Sequence, residues 1–390
     1  MEVDAAQGGK RDPFLEKCAR FTEITGTNNA LAMLYLQDRG WDLERSISDY
    51  FNDQGRNKKR PREILIDLTG TDEKLPLTES ALTADSHPPS PSPPADYEQR
   101  VFNVLSWNIE GLNRFNLINR TNAVISCIRS DWPHIVCLQE VVPETLELFK
   151  SSLKESYHTF GATDDPFADC AHYFVAILVR RHNAIELDSR SFTVYPFPGS
   201  QMARHLLSVD IILHPSRLHS KPGNSQPTQS DQNGKNLRVR IYTSHLESCY
   251  EGMTERKSQL QCAWKKMKEI KNSSSSSYLN STSPNAAIFC GDLNLRDNEV
   301  TQLGGVPTGI VDVWEATGSR TELHATWNPR LNLNAAGLSK SRRAFRYDRM
   351  YLSGECLKPV DFGFRGLEKV RNTSCHPSDH WGILGRFAVT

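Results

Sequence analysis

From Val101 to the end of the chain one pattern recurs: short apolar runs rich in β-branched residues, VFNVLSW, HIVCLQEV, YFVAILV, LLSVDIIL, LRVRIYTSHL and AAIFCGDLNL, separated by helix-like stretches and polar loops. Runs of this length and composition predict strands. So many strands with interleaved helices predict an α/β fold in which two sheets stack as a β-sandwich and helices flank them. The domain expected to carry this architecture spans residues 98–390. Two segments, 214–236 and 272–285, are rich in Ser, Asn, Gln, Pro and Gly and read as loop insertions without chemistry.

Composition limits the rest. The 390 residues exceed an ordinary single domain, so a second small unit and a linker are expected. With 46 basic and 46 acidic residues the net charge is zero, so a polyanion would have to meet a local basic surface rather than a general field. Nine cysteines without a C-x-x-C pair read as reduced thiols, which favours the nucleus or cytoplasm. No apolar signal core is visible at the N-terminus, and no run approaches the roughly 18 apolar residues of a membrane span. A soluble monomer without a membrane partner is the expectation.

Residues 13–54 carry three short helical patterns, with apolar stripes at Phe14, Cys18 and Phe21, then Leu31 and Leu34, then Leu43, Ile47, Tyr50 and Phe51. Gly26 and Gly40 are placed to end the first two helices, and Asp42 to cap the third. This three-helix bundle resembles a ubiquitin-associated (UBA-like) domain, which implies ubiquitin as a partner. Residues 55–97 hold few apolar side chains and the stretch DSHPPSPSPP, a flexible tether. Within it Lys58, Lys59, Arg60 and Arg62 form a basic cluster of the nuclear-import type, and Ile64, Leu65, Ile66 and Leu68 of EILIDLTGTDE (63–73) form a β-prone run. That run resembles a SUMO-interacting motif and equally suits a docking segment for the folded domain.

Five polar clusters stand at the ends of apolar runs: SWNIEGL, LQEV, SHLES, GDLNLRD and SDHWGI. One such cluster alone is a turn. Together, in this order, they resemble the endonuclease/exonuclease/phosphatase superfamily, the deoxyribonuclease I-like four-layer fold. The resemblance implies hydrolysis of a phosphate ester, which requires charge neutralisation, an activated water and stabilisation of the departing oxygen. Hard oxygen donors suit Mg²⁺, with Mn²⁺ as the substitute. On the superfamily pattern Glu140 is the principal metal ligand and Glu110 contributes directly or through water. Asp292 takes the proton of the attacking water, Asn294 and Asn108 hold the phosphate and that water, and His380 stabilises the transition state. Asp379 is expected to hold the His380 imidazole, His245 to donate from the opposite side, and Asp348 to support the histidine or the metal from behind.

Finer motifs, SWNIEGL, PETLELF, HYFVAILV, TSHLES, TWN and PSDHWGIL behind the UBA-like unit, are similar to the 5′-tyrosyl-DNA phosphodiesterases of that superfamily. This implies removal of a topoisomerase II tyrosine, or a peptide derived from it, from a DNA 5′ end, leaving a 5′ phosphate for double-strand break repair. Substrate contacts then fall on Glu110, Gly111 and Leu112, on Ser248 and Arg296, on Trp327, which suits either an exposed wall for a terminal base or a core position, and on Tyr173 and Arg204. Three positions depart from the pattern. Glu110 stands where Asp is commoner, Leu293 where a hydroxyl is commoner, and Cys249–Tyr250 follow SHLES where an Arg is usual. The alternatives are another DNA-end or abasic-site nuclease or phosphatase of the same fold, or a ubiquitin- and SUMO-binding adaptor.

Overall fold

The computed structural model describes residues 13–27, 32, 35, 36, 39, 41–58, 101–161, 164, 173–218, 235–269, 283–337 and 343–390. In the N-terminal unit, helix α1 spans Pro13–Thr25 and α2 spans Leu43–Lys58. Cys18 and Phe21 of α1 pack with Ala32, Leu36 and Trp41, against which Ile47 and Tyr50 of α2 lie. Gly26 closes α1 at φ 68, its N–H bonded to Thr22 O at 2.9 Å, the left-handed ending that glycine adopts without steric cost. Asp42 caps α2 by accepting from Arg45 N–H at 3.1 Å. The middle helical pattern, with Leu31, Leu34 and Gly40, lies outside the described residues, as do Lys59, Arg60, Arg62 and the ILIDL run. Helix α2 continues four residues past 54, to Lys58.

Twelve strands form the larger unit. One mixed sheet has the order β11-β12-β1-β2-β4-β3, with β1 Val101–Asn108, β2 Ile135–Val141, β3 Tyr157–Gly161, β4 Phe174–Arg180, β11 Leu357–Arg365 and β12 Gly382–Val389. The other has the order β5-β6-β7-β8-β10-β9, with β5 Ile185–Pro196, β6 His205–Leu213, β7 Leu237–His245, β8 Ala286–Asp292, β9 Ile310–Asp312 and β10 Asp348–Ser353. Strand β8 shows why the sequence stacks this way. Ala286, Ile288 and Cys290 enter the core that both sheets share, whereas Ala287 and Phe289 face Leu260, Ala263, Trp264 and Met267 of helix α5 (Met253–Met267). Side chains alternate across a strand, so an uninterrupted apolar run must be covered on both faces. Burying each such large side chain contributes about 1.5–3 kcal/mol. Leu293 joins the α5-side cluster, pointing away from the cleft as expected.

Two pairs, β1 with β2 and β7 with β8, are parallel. Parallel neighbours need a crossover, supplied by α3 (Leu117–Asp131) and by α5. Both pairs end at the same pole of the sandwich, where Asn108 of β1 meets Asp292 of β8. Strands β4, β10 and β12 begin at that pole, carrying Tyr173, Asp348 and His380 at or just before their first residues. The five polar clusters are thus gathered at one end. The loop insertions fall largely outside the described residues.

Candidate active site

Asn108 sits at the centre. Its Nδ2 donates to Glu140 Oε1 at 3.0 Å and to Asp292 Oδ2 at 2.9 Å, and its Oδ1 accepts from Glu110 N–H at 2.9 Å. One amide therefore ties β1, the end of β2, β8 and the loop that follows β1. Glu110, Glu140 and Asn294 lie at φ 53, 53 and 51, left-handed conformations that side chains rarely adopt. Backbone strain gathered in one cleft is a mark of a functional site. A Cβ on Gly111 would stand 2.0 Å from Glu140 O, so the loop after β1 touches the end of β2 backbone to backbone at a position only glycine can occupy.

His380 is held from behind by Asp348, with Nδ1 and Oδ2 2.8 Å apart. Its Nε2 faces Asp292 Oδ2 at 3.7 Å and Asp379 Oδ1 at 4.0 Å. The expectation that Asp379 fixes the ring is corrected here: Asp379 accepts from Trp327 Nε1 at 3.0 Å, and Asp348 is the residue bonded to the imidazole. Asp348 arrives there because its strand register pairs it with Asp292. Burial disfavours charge on His380, yet Asp348, Asp379 and Asp292 outweigh it and hold the imidazole well above its ordinary range, so the ring is an imidazolium. Burial likewise works to raise Asp292, but His380, His245 and the Asn108 amide hold it below the ordinary carboxylate value. A charged donor and an ionised acceptor thus face each other in a closed cleft.

The walls come from both sheets. His245, at the end of β7, places Nε2 3.4 Å from Asp292 Oδ2 and 3.5 Å from Arg204 Nη2. Burial, with Arg204 adding, pushes His245 down to about 3, so it is neutral. The Arg204 guanidinium stands 5.1 Å over the Tyr173 ring, which meets His245 at 6.4 Å. Ser248 Oγ contacts Met202 Sδ at 3.2 Å on the same rim. Arg296 reaches Glu299 Oε1 at 3.7 Å. Strand β8 stops at Asp292, and Asn294 turns to donate to Leu246 O at 3.2 Å, its N–H resting on Asp292 Oδ1 at 3.0 Å. Of the two positions open to Trp327, the structure has the core one: it is 8% exposed, bridges backbone to Phe345 and His380, and spends its N–H on Asp379. On the same loop Leu331 and Leu333 are the exposed apolar side chains.

The donor set was tested for a divalent cation. Among the described residues, Asp292, Asp348 and His380 offer ligand atoms within 4.8 Å of one another, but the Asp348–His380 hydrogen bond closes two of these positions. Glu140 is different. Burial, reinforced by Asp379, pushes its carboxyl up to about 7, as it does that of Glu110, but among the described residues Glu140 accepts a single side-chain hydrogen bond, from Asn108. A carboxylate with lone pairs to spare fits a hard divalent ion. Glu110, expected as a second ligand, does not present a free carboxylate: Asn113 donates at 2.6 Å, Asn334 at 2.8 Å and buried Arg120 at 3.2 Å. Its role is to brace the loop that carries Asn108.

Several residues here carried no separate signal in the sequence. Ser378 donates to Asn108 O at 2.6 Å and accepts from His380 N–H at 3.1 Å, clamping β1 to the histidine. Gln139 Nε2 bonds Thr243 at 3.1 Å and Ser106 at 3.2 Å, linking the sheets below the cleft. Glu247 holds the 200–201 turn through Ser200 at 2.7 Å and Gln201 N–H at 3.0 Å. The nearest clue was that Ser378 and Glu247 sit inside the motifs SDH and SHLES.

A two-sheet sandwich with helices outside, and a carboxylate, amide and imidazole cleft where the parallel pairs end, defines the endonuclease/exonuclease/phosphatase fold. A solved endonuclease/exonuclease/phosphatase from Bacteroides vulgatus shares it at TM-score 0.53, with 12% identity over 75% of this chain and 100% of that one. Residues 16–57 match the family model described as a UBA-like domain. The Xenopus laevis tyrosyl-DNA phosphodiesterase 2 is 31% identical, over 96% of this chain and 93% of its own length. The D. rerio TDP2 structure, complexed with single strand DNA product, superposes at TM-score 0.60 with 29% identity over 74% of this chain and 99% of that one. The chain belongs to the tyrosyl-DNA phosphodiesterase 2 family and is a hydrolase of the phosphodiesterase class.

Proposed function

We propose that this chain is a Mg²⁺-dependent 5′-tyrosyl-DNA phosphodiesterase that cleaves the bond between a trapped topoisomerase II tyrosine and the 5′ phosphate of DNA. The observation that carries the reading is the Asn108 amide shared between Glu140 and Asp292, facing a His380 backed by Asp348. In this reading ionised Asp292 accepts the proton of the attacking water, and Asn108 and Asn294 orient that water and a phosphate oxygen. The His380 imidazolium donates from Nε2 to a second phosphate oxygen, and His245 and Arg204 approach from the other wall. Bound at Glu140, Mg²⁺ would supply Lewis-acid neutralisation of the phosphate. Tyrosine ionises near pH 10, roughly, so a phenolate can leave without complete protonation, and charge stabilisation is the main demand of the step.

Around the centre, Arg296, Ser248, Tyr173 and Arg204 suit the DNA phosphates and the leaving side chain, with Gly111 and Leu112 on the same loop as Glu110. Leu331 and Leu333, exposed on the loop that carries the buried Trp327, suit a terminal base. Ubiquitin at residues 16–57, SUMO at 63–73 and nuclear import through Lys58, Lys59, Arg60 and Arg62 complete the proposal, supported by the UBA-like match and by the sequence pattern. The test is release of tyrosine from a 5′-phosphotyrosyl oligonucleotide. Turnover is expected with Mg²⁺ or Mn²⁺, with none in EDTA and at least a thousandfold less for Asp292→Asn. Faster incision of an abasic duplex than release of tyrosine would overturn the reading.

A further inference from the structure

We propose that the pole of the sandwich opposite the cleft is a second nucleic-acid surface, holding backbone phosphates of a strand well away from the reaction centre. Strand β2 runs from Ile135 to Val141 with Glu140 near its end, and β4 runs from Phe174 to Arg180 with Tyr173 before its start. At about 3.3 Å per residue, the far ends of these strands lie roughly 17–20 Å from the cleft.

Five cations gather there, four of them anchored on neighbouring backbone carbonyls. Arg129 donates to Ser152 O at 2.7 Å, Arg180 to Trp132 O at 2.9 Å, Arg181 to Lys154 O at 3.2 Å, and Arg217 to Asn183 O at 3.4 Å, while Arg181 Nη1 also meets His158 Nε2 at 3.0 Å. Arg129, Lys154, Arg181 and Arg217 are exposed. Among the described residues none of the five pairs with a carboxylate, whereas the buried Arg120, Arg256, Arg346 and Arg349 all do. Among the acids nearby, Asp131 is held by Arg365 at 2.6 and 2.9 Å and Glu186 lies against His214 at 3.5 Å, while Glu155 and Glu368 make no ion pair with the five. A guanidinium anchored by one carbonyl keeps its other donors pointing outward in a fixed plane, the arrangement that suits phosphate.

Trp132 adds an independent sign. It ends α3 at φ 45, where glycine is the common residue, and is 36% exposed. Arg180 lies 5.3 Å over its ring, and the ring stacks with Tyr157 at 6.4 Å. A bulky residue kept in a strained backbone, exposed, beneath a cation that no acid neutralises, is a feature with a use beyond packing. On a chain of zero net charge, such a local cluster is what would concentrate a polyanion. Nucleic acid is favoured over an acidic polypeptide by the function proposed above, and the choice rests on that reading.

The test measures binding of a 30-nucleotide single strand by fluorescence anisotropy across a salt series, for the full chain and for Arg129→Glu/Lys154→Glu/Arg181→Glu. The variant is expected to bind at least tenfold more weakly, with a salt slope shallower by about 2, from roughly 0.7 per lost contact. Its kcat/KM on a single-nucleotide 5′-phosphotyrosyl substrate should stay within twofold, because one nucleotide held at the cleft has no further phosphate to offer the far pole. If the triple variant melts early, Arg129→Gln/Lys154→Gln takes its place, with a threefold loss expected. Unchanged 30-mer binding would overturn the proposal, as would loss of polyglutamate binding with DNA binding intact. Failure of the full chain to release tyrosine, with the binding difference present, would sink the proposed reaction and leave this surface standing.

Discussion

Replacing Asp348 with Asn tests the geometry most directly, because it keeps the shape of the side chain and removes only its charge. The Asp348–His380 pair is 2.8 Å apart and Asp348 is 1% exposed. Breaking a buried pair of this kind costs about 3–5 kcal/mol. At about 1.36 kcal/mol per decade of rate, a loss falling wholly on the transition state would be roughly 10²–10⁴-fold. Asp292 and Asp379 still favour the imidazolium, so the lower half of that range, roughly 10²–10³-fold, is expected for Asp348→Asn. The charged form of His380 also loses its main support, so the ring gives up its proton at lower pH and the alkaline limb of kcat/KM moves down. Asp379→Asn, whose partner is Trp327, should cost no more than about tenfold. The assay is tyrosine release from a 5′-phosphotyrosyl oligonucleotide between pH 5 and 10, with thermal unfolding to confirm the fold. An Asp348→Asn enzyme within threefold of the parent, or an Asp379→Asn enzyme more damaged than it, would refute the assignment.

Other consequences can be checked alongside. Glu140→Gln should raise the Mg²⁺ concentration for half-maximal turnover at least tenfold, since it removes the carboxylate best suited to a hard cation; an unchanged titration would show that the cation sits elsewhere. Gly111→Ala forces a methyl to within 2.0 Å of Glu140 O, so a loss of about 1–3 kcal/mol on denaturant unfolding is expected, with turnover falling further than stability. Burial pushes His134 down to about 3 and His205 to about 4, and His134 Nδ1 accepts from Asn103 N–H at 3.0 Å, so both rings are neutral when folded. The unfolded chain takes up these protons below about pH 6.5, so stability should fall between pH 6.5 and 4 by up to about 1.4 kcal/mol per pH unit for each ring. Unfolding curves at pH 7, 6 and 5 read this directly, and His134→Gln should flatten the slope by one proton.

The strands and the ends they present were legible because β-branched runs and polar terminators are local signals. Asn108, Glu140, Asp292 and His245 each close such a run and His380 stands just before one, and the fold brings them together. The partner of His380 was not legible for a reason that is equally physical. Asp379 is its chain neighbour, and successive extended residues point to opposite sides, so adjacency in sequence works against contact. Asp348, 32 residues away, arrives through the register of β10 against β8. Arg120 is a similar case: a helical arginine reads as a surface residue, yet it is 1% exposed and bonds Glu110, Ile109 O and Asn113 O. The choice between wall and core for Trp327 was not legible because its burial depends on Phe345, Tyr347 and Asp379, which converge only in three dimensions. For Asn294, one left-handed residue ended the alternation that would have set it beside Asp292.

The Asn108 amide is a rivet between two plates. Behind it Gln139 reaches across to Thr243 and apolar side chains such as Cys137 and Cys290 pack between the sheets. Whatever prises the plates apart, whether hydrostatic pressure or an oversized residue at Cys137, would pull first on the rivet. Turnover should therefore report the earliest breathing of this molecule, well before any spectroscopic sign of melting.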